Sequence, residues 1–195
     1  MEQIPLPKET PHNTKPLGGL YYIVGASGAG KDSIMQHLLE GDKENELMIA
    51  ERYITRETLP GDGQIELSPA QFEEHLETGL FLFSWAAHGC QYGIAKTVLA
   101  DVSAGRQVLV NGSRAYIQIS KEIYPSVKVV GIRAEVEHLS ERIKKRGRDL
   151  PTDIDERIAR NQAFASQLSL VNKLITNDGA IEGAVSELRA YLSAP

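Results

Sequence analysis

The sequence predicts an α/β domain, a parallel β-sheet core covered by helices. Three features carry that expectation. Apolar runs that read as strands alternate with segments of helical period along the chain after residue 18, the pattern of a parallel sheet covered on both faces. The first such run, Leu20-Tyr21-Tyr22-Ile23-Val24, enters a glycine-rich stretch, Gly25-Ala26-Ser27-Gly28-Ala29-Gly30-Lys31-Asp32-Ser33, and a helix follows at once. The composition, 42% hydrophobic and 24% charged over 195 residues, suits one such domain with a sizeable core and a small insert.

Strand, glycine-rich loop, lysine and helix together form the layout of a phosphate-binding P-loop. Glycines let successive backbone N–H groups turn toward one point, and the helix N-terminus adds partial positive charge there. Lys31 supplies a mobile ammonium for the outer phosphates. One position departs from the pattern: the residue after the lysine is usually Ser or Thr, and here it is Asp32.

The remaining elements follow in order. Ile34, Met35 and Leu38 recur at helical spacing. Gly41–Asn45 is a polar turn, and Leu47–Ala50 begins a second strand that runs toward Arg52-Tyr53-Ile54-Thr55-Arg56. Pro60-Gly61-Asp62-Gly63 is a turn signal. Ser68 is expected to cap a helix, with Pro69 in its first turn, Gln71 closing a capping box and Gly79 at its end. Leu80–Ala87 reads as a strand, His88-Gly89 as a turn and Gln91-Tyr92-Gly93 as its return, so residues from about 55 to 95 look like an inserted subdomain. Then come a helix over 96–104, strand 108–110, helix 115–124, strand 127–132, helices 135–145 and 154–169, strand 173–176 and helix 180–192.

Bulk properties narrow the partners. The net charge of −5 argues against general binding to nucleic acid or a membrane surface, and no stretch approaches the ~20 apolar residues of a membrane span. The single cysteine, Cys90, excludes an internal disulfide and fits a reducing, cytoplasmic setting; packing is its expected role. Residues 1–17 hold four prolines and lack the apolar core of a secretory signal, and are expected to form a flexible leader.

Phosphoryl transfer needs positive charge more than it needs a base. Arg142, Lys144, Lys145, Arg146 and Arg148 cluster around Gly147, and Arg157 follows on the next helix. A solvated basic helix end is the plain reading. In a chain with a P-loop, the same basic hairpin reads as a lid that closes over transferring phosphates. Arg52 and Arg56 lie at the carboxyl end of the second strand, and Arg114 follows Asn111-Gly112-Ser113 at the end of another. Three arginines at the ligand-facing edge of an acidic protein suit a phosphate-bearing substrate, held by bidentate pairing. Tyr92, beside Gly93, is a candidate pocket residue. His12, His37, His75 and His88 form no convincing metal or catalytic set.

Gly25–Ser33, Thr55-Arg56, Phe83–Gly93, Val108–Ser113, Arg142–Arg157 and Asn177-Asp178 together resemble the guanylate kinase branch of P-loop nucleoside-monophosphate kinases. The resemblance implies a P-loop kinase domain over 18–195, with a small inserted acceptor-binding subdomain (about 55–95) and an arginine-rich lid (about 142–157). It implies that Thr55, Arg56 and Tyr92 bind the acceptor's phosphate. Arg142, Arg146 and Arg157 become the lid arginines that act with Lys31 in transfer, and Arg148 joins the nucleotide-binding residues. Asn177 and Asp178 map to positions beside the adenine.

The departures are informative. The family's guanine-reading acid before the tryptophan is Ser84 here, the serine after its Tyr-Gly is Ile94, and its Asp-x-Asp is Asn111-Gly112-Ser113. Its second phosphate arginine is replaced by Leu59, whereas Arg52 and Arg114 are additional. Without the carboxylates, discrimination for guanine should collapse. This combined pattern resembles the ribose 1,5-bisphosphate phosphokinases of bacterial phosphonate utilisation, which implies ATP-dependent conversion of ribose 1,5-bisphosphate to 5-phosphoribosyl 1-diphosphate (PRPP). Arg52, Arg56, Arg114 and Tyr92 are then expected on the sugar's phosphates, with Ser84 also in the acceptor site and Asn111 and Ser113 on its hydroxyls. The competing readings are a guanylate-type nucleoside-monophosphate kinase and a non-catalytic interaction module of the same fold. Expected partners are ATP and a sugar bisphosphate, with no nucleic acid or membrane and a homodimer left open.

Asp32 stands where most P-loops carry the hydroxyl that ligates Mg²⁺, and Ser33 lies about 100° further round the helix. A carboxylate is favoured at a helix N-terminus in any case. Beside a triphosphate it would be repelled unless a cation lay between them. Asp32 is therefore expected to hold Mg²⁺, directly or through water, with Ser33 capping or assisting.

Overall fold

A computed structural model describes residues 18–26, 28–58, 63–134 and 165–194, the last range by backbone alone at 165–167. The expected leader (1–17), Ser27, most of the Pro60–Gly63 turn and the whole lid region fall outside the described residues.

The centre of the molecule is β1 (Gly19–Gly25), whose Leu20, Tyr21, Tyr22, Ile23 and Val24 are all buried. It pairs in parallel with β7 (Gln107–Asn111) on one side and with β8 (Lys128–Arg133) on the other. β2 (Leu47–Ile49) extends the sheet beyond β7, and β9 (Lys173–Thr176) beyond β8, giving a five-stranded parallel order β2-β7-β1-β8-β9. Alternate residues of β1 serve opposite faces. Tyr21 and Ile23 pack with Ile34, Met35 and Leu38 of α1 (Lys31–Glu40) and with Leu188 and Leu192 of the C-terminal helix (Ile181–Leu192). Leu20, Tyr22 and Val24 pack on the other side, with Val98 of α3 (Val98–Ser103) and Ile117 of α4 (Ile117–Ile123). Burial on both faces is why the strand has no polar alternation; each such side chain contributes about 1.5–3 kcal/mol of transfer free energy.

A second sheet comprises β3 (Arg52–Ile54), β4 (Gln64–Glu66), β5 (Phe81–Ala87) and β6 (Cys90–Ala95), in the order β4-β3-β6-β5. Helix α2 (Pro69–Glu77) lies between β4 and β5 in the chain, and its Phe72 ring lies tilted against Phe81 with centroids 4.8 Å apart. The Ser68/Gln71 capping box is fully formed, and Gly79 follows the helix at φ +68°.

Three local expectations need correction. The extended run from Leu47 toward Arg56 is two strands in two sheets. The Ala50 N–H still reaches Leu109 of the first sheet, whereas the Arg52 N–H bonds Gly63 of the second. The helix expected over 115–124 opens with a 3-10 turn, Arg114–Tyr116, before α4 begins. The described end of the helix expected over 154–169 is a 3-10 segment, Ala165–Leu170. Among the described residues, no helix is long and apolar enough to cross a membrane.

Candidate active site

The glycine loop leaves β1 at a point where only glycine fits. A Cβ on Gly25 would lie 2.2 Å from the carbonyl oxygen of Ile132 on β8. Gly28 and Gly30 have φ of +86° and +91°, a region that side chains disfavour. Asn177, buried just beyond β9, donates its amide to the Ala29 carbonyl at 2.8 Å and so braces the loop from beneath. Asp178 follows it, half-buried. Lys31 folds back on its own loop, its Nζ donating to the carbonyls of Gly25 (3.1 Å) and Ala26 (3.3 Å). The α1 N-terminus has Gly30 at its cap and no side-chain cap, so Ser33 does not fill the capping role expected of it. Uncapped N–H groups at a helix start suit an incoming anion.

Asp32, exposed in the first turn of α1, accepts a hydrogen bond from the side-chain amide of Asn111. Parallel pairing of β1 with β7 sets Ile23 beside Asn111, so the glycine loop and the end of β7 emerge side by side. The chain then turns at Gly112, where a Cβ would lie 2.2–2.6 Å from ring atoms of Tyr22. The Tyr22 hydroxyl accepts from the Ser113 N–H at 2.9 Å and is directed at the Ser113 carbonyl at 3.4 Å. Burial raises the Tyr22 pKa, so the phenol stays neutral and keeps both roles.

The second sheet brings the acceptor candidates to the same edge. The Arg52 guanidinium lies 5.9 Å from the Tyr92 ring centroid. Burial lowers its pKa, Asp32 and Tyr92 draw it back up, and the neighbouring Arg56 lowers it further. A guanidinium stays charged at neutral pH regardless, so Arg52 is a half-buried cation within the field of Asp32. Tyr92 is in turn stacked on Trp85, its cross-strand partner, with centroids 5.5 Å apart and planes 5° from parallel. Tyr116 tilts onto Trp85 at 5.8 Å and its hydroxyl accepts from the Ser84 N–H at 3.4 Å. Thr55 turns its hydroxyl oxygen to the Gln91 N–H at 2.9 Å, Arg56 is exposed, and Arg114 is half-buried in the turn before α4.

Lys31, Asp32, Asn111 and Arg52 thus converge at one edge, from the glycine loop with its helix, from β7 and from β3. Arg142, Arg146, Arg148, Arg157 and Ser27 lie outside the described residues. Sequence reasoning placed Tyr22 in the first strand and gave no site role to Trp85 or Tyr116; the signal that finds Tyr22 is Gly112, which has to sit on a buried ring. Among the described residues, no group of three or more His, Cys, Asp or Glu side chains is arranged to hold a metal.

Comparison with known proteins bears on the family and the fold. The family model described as guanylate kinase matches residues 18–195. The chain is 36% identical over 176 residues to the ribose 1,5-bisphosphate phosphokinase PhnN of Psychromonas ingrahamii, covering 90% of each chain. It is 37% identical over 177 residues to the protein of the same name from Pseudomonas paraeruginosa, covering 90% of this chain and 95% of that one. Among solved structures, guanylate kinase from Anaplasma phagocytophilum superposes with a TM-score of 0.71 at 17% identity, over 91% of this chain and 86% of that one.

Proposed function

The chain belongs to the guanylate kinase family, and on that premise we infer that it is an ATP-dependent phosphotransferase acting on ribose 1,5-bisphosphate. The γ-phosphoryl group passes in line to the C1 phosphate, giving PRPP and ADP. The observation that carries this reading is Arg52: a half-buried guanidinium held over Tyr92, within the field of Asp32, at an edge where Ser84, Asn111 and Ser113 offer no carboxylate to read a guanine. A site rich in arginine and stripped of base-reading acids suits a small acceptor with two phosphates.

The mechanism follows from charge. The nucleophile is a phosphate oxygen, ionised above its second pKa of about 6, so no side-chain base is required. Backbone N–H groups of the glycine loop and the start of α1 cradle the donor's phosphates. Lys31 exchanges its loop carbonyls for the outer phosphates. Arg52, Arg56, Arg114 and Tyr92 hold the acceptor, with Thr55, Ser84 and Ser113 alongside. Arg142, Arg146 and Arg157 serve as the lid arginines that neutralise transition-state charge and exclude water, with Arg148 on the nucleotide.

The donor set also fits Mg²⁺, which takes one or two carboxylates plus substrate phosphates and keeps several waters. Asp32 is an exposed oxygen ligand on the first turn of the loop's helix, and Ser33 follows it. When bound, the ion neutralises charge developing between donor and acceptor phosphates. Asn177 stands apart from that set, because its amide is engaged in bracing the loop at Ala29. The setting is cytoplasmic, without nucleic acid, and a homodimer is compatible with the exposed Ile119 and Ile123 on α4.

The deciding experiment is a steady-state assay of the full chain with ATP and ribose 1,5-bisphosphate, with GMP in parallel. PRPP formation with GMP turned over poorly is the expected result. Turnover of GMP alone would assign the guanylate-type reading, and ATP binding without either product would assign the interaction module.

A further inference from the structure

The pairing of Asp32 with Asn111 has a consequence for the cation, and it rests on the reading of Asp32 as the Mg²⁺ ligand. In P-loop enzymes generally, a hydroxyl follows the lysine and a carboxylate from another strand completes the metal site. Here the two chemistries are exchanged. The carboxylate follows Lys31, and the neutral Asn111 ends β7, the strand paired directly with β1. The side chains meet in a direct hydrogen bond from the Asn111 amide to Asp32 Oδ1. We propose that, relative to that general arrangement, the cation-binding carboxylate stands at the start of α1 and not on the neighbouring strand, and that Asn111 is the positioning residue that holds it in place.

The chemistry of the pair supports the exchange. A carboxylate only accepts, and an amide donates only through its nitrogen, so this contact fixes the Asn111 amide and ties one oxygen of Asp32. Asn111 is itself well anchored. It is buried, and the Gly112 N–H beyond it bonds the Ile23 carbonyl at 2.9 Å. Asp32, by contrast, is exposed and would otherwise sample several rotamers. A carboxylate at both positions would set two anions in contact. A neutral group at both would leave the phosphates' counter-ion without a protein carboxylate. One acid and one neutral partner is the combination that works, in either order.

That symmetry is testable without turnover. Mn²⁺ is titrated by electron paramagnetic resonance into the full chain saturated with ADP, for the wild type, Asp32→Ser, Asn111→Ala and the double variant Asp32→Ser/Asn111→Asp. Loss of a metal ligand's hydrogen-bonding partner typically costs about 10–100-fold in metal affinity. Asp32→Ser is expected at the upper end of that range and Asn111→Ala at the lower. The double variant is expected to return to within about threefold of wild type, the acid now standing on β7. Without metal, ADP affinity measured calorimetrically should not fall below wild type in any variant, and should rise in Asp32→Ser, where the carboxylate that repels the phosphates is gone; this separates a lost ion from a misfolded loop, and Asp32→Asn replaces Asp32→Ser if the latter falls below wild type. A double variant that binds Mn²⁺ no better than Asp32→Ser overturns the exchange, and an Asn111→Ala affinity equal to wild type overturns the positioning role. Unchanged Mn²⁺ binding in Asp32→Ser removes the underlying assignment of Asp32, and the proposal with it.

Discussion

The side-chain amide of Asn177 donates a 2.8 Å hydrogen bond to the carbonyl of Ala29, joining the end of the last strand to a glycine loop 148 residues earlier. The contact is buried, and a Cβ on Gly30 would fall 2.4 Å from the same amide nitrogen. Asn177→Ala leaves the Ala29 carbonyl without this donor, at a cost of about 1–3 kcal/mol. Urea denaturation should register that loss, together with several-fold weaker ADP binding. An unchanged denaturation midpoint with altered preference for adenine over guanine nucleotides would instead assign Asn177 to the base.

Gly112→Ala places a methyl group 2.2–2.6 Å from ring atoms of Tyr22. That ring cannot yield easily, because it is fully buried and makes edge contacts with Phe83 at 5.6 Å and Trp85 at 6.3 Å. Overpacking of this kind costs about 1–3 kcal/mol. Gly183→Ala, in the C-terminal helix with nothing within 4 Å of the added atom, is the contrast. It should raise stability by roughly 0.5–1 kcal/mol, the helix propensity difference. Thermal unfolding of the two variants side by side checks both signs.

Much of this architecture is legible in the residues, and the exceptions have physical reasons. The unbroken apolar run Leu20–Val24 announces a strand buried on both faces, and the glycine spacing announces the loop. The division between β2 and β3 is not legible. Leu47 to Ile54 reads as one extended run, and what changes along it is the hydrogen-bond partner, from Leu109 to Gly63. Local sequence does not encode which sheet a strand joins. The contact of Asp32 with Asn111 is hidden for a similar reason, since it depends on the register of β1 against β7. Arg52 is recognisable as a candidate phosphate ligand, but its seat over Tyr92 requires β3 and β6 to be paired.

Arg52→Met keeps most of the aliphatic stem and removes the charge. A charge-assisted hydrogen bond is worth about 1.5–3 kcal/mol, so KM for the acceptor should rise roughly 10–100-fold while KM for ATP changes little. Arg52→Lys should recover only part of this, because an ammonium lacks the planar fork. Equal increases in both KM values would place Arg52 in the support of Asp32, whose field it shares, and not on the acceptor.

Alkaline stability should depend on Tyr22. Burial raises its pKa in the folded state, so the neutral phenol is favoured there. Its contribution is complete below the unfolded value near 10 and is lost as pH rises through that value toward the folded one. Tyr21 and Tyr191 are shifted in the same direction, each chiefly by burial. Urea midpoints should therefore fall between about pH 9 and pH 11, and Tyr22→Phe should flatten that fall. A wild-type slope in Tyr22→Phe would assign the alkaline loss to the other two tyrosines.

Restoring the family's acid at position 84 should not by itself restore guanine recognition. The Ser84 N–H is held by the Tyr116 hydroxyl, and Tyr116 leans on Trp85, which stacks on Tyr92. The end of β7 offers Asn111 and Ser113 where the family carries carboxylates, so a base would meet one acid at most. Sites built to hydrogen-bond a substrate discriminate by about 10⁴–10⁵, and a single restored group supplies only a fraction of that. Ser84→Glu is thus expected to leave GMP turnover at least about 10³-fold below that of the sugar bisphosphate, measured as kcat/KM under the same ATP concentration. Substantial GMP turnover in this variant would mean that the aromatic stack leaves room for a base, and that position 84 alone sets the acceptor.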